Sequence, residues 1–215
     1  MSKSEIIMNL KKQGLVAVIR GEDKTEGIRA ASACIEGGVL AIEIAYTNPE
    51  ANDIISELAS LYKDDDRVSI GAGTVLDAET ARLAILAGAK YIVSPSFHAE
   101  TARLCNRYAI PYIPGCISLT EMVTALEAGC EIIKLFPGTL PGPHYIKAVK
   151  APLPQIHLMV TGGVNTNTIC DWFDAGADAV GIGGEFNTLA SQGNFDRITS
   201  LAREYVAILS DYCSV

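Results

Sequence analysis

Four segments of the chain repeat one another: GGVLAIEIA from Gly37, AGAKYIVSP from Ala87, AGCEIIKLFP from Ala128 and AGADAVGIGG from Ala175. In each, a helical pattern breaks at a glycine suited to a helix C-terminus, and a short apolar run follows. The second residues of these blocks, Gly38, Gly88, Gly129 and Gly176, are 50, 41 and 47 residues apart. That spacing is too long for one strand–helix unit and fits two. The missing partners lie between them: GLVAVIR (14–20), RVSIGAGTV (67–75), IPYIPG (110–115) and IHLMVTGG (156–163) are also apolar runs rich in β-branched residues. Amphipathic stretches such as TEGIRAASACIEGG and AETARLAILAGA separate the runs. Eight near-continuous apolar strands alternating with helices predict an α/β fold, a parallel sheet covered by helices and closed as a (β/α)8 TIM barrel. The 215 residues, 49% of them hydrophobic, suit one such domain across 1–215, with an extra helix before Gly14. An open doubly wound sheet is the competing arrangement.

The repeat also sets a register. Five residues beyond its glycines stand Glu43, Val93, Lys134 and Gly181. One interior layer of such a barrel is filled by four side chains from alternate strands, so these four residues are expected to share a layer. Parity supports an inward orientation, because Ile42, Ile44 and Tyr46 fall on the other face of the second strand, and Ile133 and Leu135 on that of the sixth. An acid and an amine thus meet inside the barrel near its C-terminal mouth, beside a glycine that leaves space. Lysine is almost never fully buried without a partner or a task. The competing reading is an ion pair that only fixes register, but such a pair rarely stabilises more than well-packed apolar residues would.

The chemistry of a buried lysine is specific. Desolvation favours the neutral amine, which can attack a ketone. A nearby carboxylate can move protons through the carbinolamine and imine steps. The iminium is an electron sink that promotes making or breaking a carbon–carbon bond two atoms away, and it requires no metal. Phe136, of the same parity, would wall the imine or merely pack the rim.

An anion site is expected at the same mouth. The seventh strand ends in TGGV (161–164) and the eighth in GIGGEF (181–186), and glycines at those two strand ends often bind phosphate in this architecture. Asn165 or Thr166 is expected to cap the following helix. Arg20 ends the first strand with Val16 and Val18 as same-parity neighbours, and could hold a carboxylate bidentately. Thr74 in GAGTV could bond a carboxylate or hydroxyl, and Pro95 could wall the pocket. His98 and His144 lie at helix starts and read as surface residues.

The formal charge of −8 argues against nucleic acid or an anionic membrane as partner, so an anionic substrate must be held by local groups. The N-terminus lacks the apolar core of a signal peptide. No apolar run approaches the roughly 20 residues a membrane span needs. Six cysteines without a C-x-x-C pair read as thiols of a reduced compartment, and three scattered histidines make a zinc site improbable. The expectation is a cytoplasmic protein.

Glu43 in AIEIAYTNP, GAGTVLD (71–77), SPSF (94–97), PGC (114–116), IIKLFPG (132–138), GPHYIKAVK (142–150), VTGGVN (160–165) and GIGGEF together resemble the 2-keto-3-deoxy-6-phosphogluconate / 4-hydroxy-2-oxoglutarate aldolases, class I enzymes. The resemblance runs along almost the whole chain in order. It implies Lys134 as the Schiff-base residue and Glu43 as general acid/base. It also implies Thr74, Pro95 and Phe136 around pyruvate, and Thr161, Gly162 and Gly163 beside the rest of the substrate. Gly183 and Gly184, with the glycines of the seventh strand, would hold the phosphate. A homotrimer without metal or cofactor is implied as well. Many members carry an arginine for the substrate carboxylate where this chain has Thr47; others place one where Arg20 stands, and the carboxylate is assigned to Arg20. Thr161, where galactonate-specific relatives usually have a small apolar residue, leans towards the gluconate substrate, with 4-hydroxy-2-oxoglutarate as an additional one. The alternatives are the phosphogalactonate aldolase, a phosphate-binding epimerase or isomerase, and a non-catalytic sugar-acid sensor.

Overall fold

The computed structural model describes residues 1–213; Ser214, Val215 and the side chain of Cys213, which the sequence reading included, lie outside the described residues. The strands are β1 (Leu15–Ile19), β2 (Ala41–Ala45), β3 (Ser69–Gly73), β4 (Ile92–Val93), β5 (Tyr112–Ile113), β6 (Gly115–Cys116), β7 (Ile133–Leu135), β8 (Leu158–Thr161) and β9 (Ala179–Ile182). Around them run α1 (Lys3–Gln13), α2 (Lys24–Glu36), α3 (Ala51–Leu61), α4 (Ala78–Ala87), α5 (Ala99–Arg107), α6 (Leu119–Glu127), α7 (His144–Lys150), α8 (Ile169–Asp174), α9 (Gly184–Ser191) and α10 (Phe195–Cys213).

All strand pairs are parallel, in the order β5-β4-β3-β2-β1-β9-β8-β7-β6. The two ends of that order, β5 and β6, are consecutive in the chain, separated only by Pro114. The expected fifth strand is therefore one strand in two pieces, the first paired with β4 and the second with β7. Proline has no N–H to give to a ladder, which breaks the strand there. Its carbonyl still accepts from Lys134 N at 2.9 Å, carrying the sheet across the break. The eight strands of the sequence reading become nine segments, and the barrel closes through the chain itself.

The register bears out the expected layer. Lys134 pairs with Met159 and Met159 with Ala179, so Gly181 stands two residues further along. Gly181 pairs with Val16 and Val16 with Ala41, so Glu43 again stands two residues further. An advance of one residue per strand is the stagger of tilted barrel strands, and it brings Glu43, Lys134 and Gly181 to one level.

Two apolar clusters flank the strands. Inside, Val16, Ala41, Tyr91, Val93, Ile113, Ile132, Met159 and Ala179 pack with Ile6, Ile7 and Leu10 of α1. The extra helix thus plugs the N-terminal end of the barrel. Ser2 and Glu5 start it with a reciprocal capping box, and Gly14, in a left-handed conformation at φ 67°, turns the chain into β1. Outside, Ile42, Ile44, Ile133 and Leu135 pack under the helices, as their parity predicts. One helix was not expected as a separate element: β9 is followed by the short α9 before α10 covers the barrel.

Candidate active site

Lys134 Nζ lies 3.4 Å from Glu43 Oε1, with Lys134 5% and Glu43 1% exposed. The second carboxylate oxygen of Glu43 is buried with no hydrogen-bond partner. Glycines make room for this pair. A Cβ at Gly73 would collide with the Glu43 carboxylate, and one at Gly181 would come within 2.5 Å of Thr161 Oγ1. A buried lysine with one long contact to a carboxylate that is itself half-satisfied is poorly designed for stability. It is well arranged for moving a proton.

Phe136 meets the pair, and Thr161, Thr74 and Pro95 each adjoin a glycine of the same layer or one next to the pair. The ring centroid of Phe136 is 5.3 Å from Lys134 Nζ. Thr161 Oγ1 is buried and unpartnered, pointing over Gly181. Thr74 directly follows Gly73 and has φ 55°, a left-handed conformation that is a genuine outlier for a β-branched residue. Such strain clusters at functional sites. Pro95 packs over Gly115, the residue paired with Lys134: a Cβ at Gly115 would collide with the Pro95 carbonyl.

A cavity of about 710 Å³ opens beside this layer, with walls that include Arg20, Phe136, Thr161, Gly162, Gly163, Gly183 and Gly184. Lys134, Glu43, Thr74 and Pro95 are not among its lining residues; Gly181, at the level of Lys134, is. Four glycines bring backbone to one wall of the cavity. Gly162 and Gly163 have φ 95° and 80°, which other residues rarely adopt. Gly184 opens α9, and no atom lies within 4 Å of where its Cβ would be. The first N–H groups of a helix have no partner within it, and at this one there is room beside the backbone, an arrangement suited to an anion. Arg20 is exposed at the edge.

The helix after the TGGV turn starts later than expected. Asn165 Oδ1 accepts from the N–H groups of Asn167 at 2.9 Å and Thr168 at 3.1 Å, so it caps the turn before α8, and Thr166 does not. His98 is the N-cap residue of α5 and His144 the first residue of α7, as expected. Cys34, Cys105, Cys116 and Cys130 are buried free thiols and Cys170 is half-buried. Burial pushes Cys105, Cys116 and Cys130 up to about 12, which leaves them unreactive. Among the described residues no group of His, Cys, Asp and Glu could hold a metal ion, and no helix is long and apolar enough to cross a membrane.

Two asparagines escaped the sequence reading. Asn187 of α9 donates to the carbonyls of Val18 at 2.8 Å and Gly183 at 2.6 Å, and its Oδ1 accepts from Arg20 N at 2.8 Å. Asn48, 2% exposed, donates to the carbonyls of Arg20 at 3.0 Å and Gly21 at 3.2 Å. Together they fix the turn that carries Arg20. A single asparagine, whether in a loop as Asn48 or in a helix as Asn187, forms no pattern, and only the fold shows what it bridges.

The family model described as "KDPG and KHG aldolase" matches residues 6–201. The chain belongs to that family. The 2-dehydro-3-deoxy-6-phosphogalactonate aldolase of Escherichia coli is 38% identical over 175 residues, 81% of this chain and 84% of that one. The 2-dehydro-3-deoxy-phosphogluconate aldolase of Treponema pallidum is 30% identical over 204 residues, 93% of this chain and 95% of that one. Among solved structures, one described as native KDPGal superposes with a TM-score of 0.86 at 33% identity, covering 94% of this chain and 96% of the other. The KDPG aldolase of Legionella pneumophila, described as holding pyruvate captured as a covalent carbinolamine intermediate, superposes with a TM-score of 0.81 at 26% identity, covering 88% and 92%. As in those family members, the fold is an aldolase barrel, and membership makes the chain a carbon–carbon lyase by class.

Proposed function

We propose that this chain is a Schiff-base aldolase that cleaves 2-keto-3-deoxy-6-phosphogluconate reversibly to pyruvate and glyceraldehyde 3-phosphate, and also accepts 4-hydroxy-2-oxoglutarate. The observation that carries this reading is the buried Lys134–Glu43 contact of 3.4 Å at the level of Gly181, which lines a cavity walled also by Gly162, Gly163, Gly183 and Gly184. The Legionella relative, described with pyruvate as a covalent carbinolamine, supports it.

Glu43 takes a proton from Lys134, and the free amine attacks C2 of the keto acid: a C–N bond forms, the C=O π pair moves to oxygen, and the oxygen takes the proton that the nitrogen gives up. Glu43 delivers a proton to the departing hydroxyl, water leaves, and the iminium remains. Glu43, now a carboxylate again, takes the proton of the C4 hydroxyl. The electrons of that O–H bond form the aldehyde, and those of the C3–C4 bond flow into the iminium, leaving an enamine. Glyceraldehyde 3-phosphate departs, the enamine is protonated at C3, and water returns the amine and pyruvate. Phe136 walls the imine, while Thr74 and Pro95 bound the pyruvate half. Thr161, whose hydroxyl has no protein partner, bonds a substrate hydroxyl. The phosphate lies against Gly162, Gly163, Gly183 and Gly184. Arg20 takes the carboxylate; because its backbone is tied to α9, on the phosphate side, pyruvate, which has no phosphate, is the ligand that tests the assignment. The assembly is a homotrimer, which would cover Leu76, Leu83 and Leu86 on and before α4 and Leu119 and Val123 on α6, all exposed in one copy.

The deciding experiment is incubation with pyruvate, reduction with borohydride and mapping by mass spectrometry. An adduct on Lys134 is expected; its absence removes the mechanism. The galactonate-series substrate is the second reading, favoured by the 38% identity to the Escherichia coli phosphogalactonate aldolase. Thr161 favours the gluconate series, and a side-by-side comparison of kcat/KM on the two acids settles between them.

A further inference from the structure

The cavity end assigned to phosphate contains an acid. Glu185 is the second residue of α9 and lines the cavity beside Gly183 and Gly184. A carboxylate in the first turn of a helix is drawn to the same N–H groups that an incoming anion needs, and it repels that anion. Here the carboxylate is engaged elsewhere. Tyr205 of α10 donates its hydroxyl to Glu185 Oε2. Tyr205 is fully buried, and its ring meets that of Phe186 edge-on at 5.9 Å between centroids. The Thr166 backbone, in the loop after β8, also reaches the hydroxyl. Burial and then the Glu185 carboxylate push the phenol up, so it keeps its proton and remains a donor. One buried hydroxyl therefore joins the loop after β8, the start of α9 and the covering helix.

We propose that Tyr205 is a positioning residue for the phosphate end of the site: it holds the Glu185 carboxylate away from the α9 N–H groups, which stay open to a dianion. The proposal rests on the phosphate end assigned above, and it makes Tyr205 a determinant of preference for phosphorylated over unphosphorylated keto acids. Removing the hydroxyl alone, in Tyr205→Phe, keeps the ring packing and releases the carboxylate.

Two probes test it on the whole protein. Inorganic phosphate is titrated into isotope-labelled protein, with the amide signals of Gly162 and Gly184 followed by NMR. Tyr205→Phe is expected to weaken phosphate binding roughly tenfold, near the upper range for a charge at a helix terminus. Adding Glu185→Gln to that variant should restore wild-type affinity, which a packing defect would not allow. In steady-state kinetics the KM for the phosphorylated acid should follow the same order, with kcat and the KM for pyruvate unchanged. Unaltered phosphate affinity in Tyr205→Phe overturns the proposal, as does failure of Glu185→Gln to rescue it. If wild-type amides do not respond to phosphate, the phosphate end itself is misassigned and the proposal falls with it. If phosphate behaves as expected but borohydride leaves no adduct on Lys134, the aldolase chemistry alone fails.

Discussion

Lys134 Nζ and Glu43 Oε1 stand 3.4 Å apart although 91 residues separate them in the chain. Strands on opposite sides of the barrel bring them together: Glu43 reaches inward from β2 and Lys134 from β7, at one level. Lys134→Arg keeps the charge beside Glu43 but cannot supply a neutral amine. Pyruvate release, followed by coupling to lactate dehydrogenase, should fall by on the order of 10⁴ or more, the scale of losing a nucleophile. Circular dichroism should report an intact fold. Turnover near the wild-type rate would place the nucleophile elsewhere.

Glu43→Gln preserves shape and removes the proton acceptor. A loss in kcat of roughly 10² to 10⁴ is expected, the usual contribution of general acid–base catalysis. The borohydride-trapped adduct should still form on long incubation, only more slowly. An unchanged rate of trapping would mean that Glu43 takes no part in imine formation.

For Arg20→Ala, the KM for pyruvate in the condensation direction should rise roughly 10- to 100-fold, as a lost charge-assisted hydrogen bond predicts. If pyruvate binds as before and only phosphorylated ligands weaken, Arg20 serves the phosphate and another group holds the carboxylate.

Gly181 and Gly184 should respond oppositely to alanine. At Gly181 the new methyl group would meet Thr161 Oγ1 at 2.5 Å inside a packed barrel, an overpacking that costs about 1–3 kcal/mol. At Gly184 it would meet nothing within 4 Å. Urea unfolding of Gly184→Ala should stay within about 0.5 kcal/mol of wild type, while its KM rises for the phosphorylated acid and not for 4-hydroxy-2-oxoglutarate. Equal KM changes on both substrates would detach this residue from the phosphate.

Asp77 closes the GAGTVLD segment and caps α4, its Oδ1 accepting from Thr80 N at 2.6 Å. That bond holds its carboxyl below the usual carboxylate range, so the cap is charged and stabilising at neutral pH. Asp77→Ala should cost about 1 kcal/mol near pH 7. Because the folded state lowers the acid's pKa, its contribution is present above the ordinary value of about 3.9 and fades as the pH falls below it. Urea midpoints of wild type and variant should converge there, and a gap that persists at low pH would show the effect to be packing.

Much of the site was legible in the repeat. Counting from Gly38, Gly129 and Gly176 put Glu43, Lys134 and Gly181 in one layer because each repeat spans two strand–helix units, over which the stagger advances by two residues and the inward parity recurs. The strand break at Pro114 was less visible, since an apolar run with a proline reads as one strand until its two neighbours are known. Asn48, Asn187 and Tyr205 were illegible. Each is a lone polar residue, and its partners come from other segments of the chain.

Which side chains face inward is a local matter, because alternation along an extended backbone depends only on neighbouring residues. The order of residues was therefore enough to turn Glu43 and Lys134 into the barrel. Their distance, the unpartnered Glu43 and Thr161 oxygens, and the hydroxyl that restrains Glu185 depend on how far each strand is staggered against the next and on where the covering helices come to rest. Those quantities arise only when all the strands close on one another, and no short stretch of chain carries them.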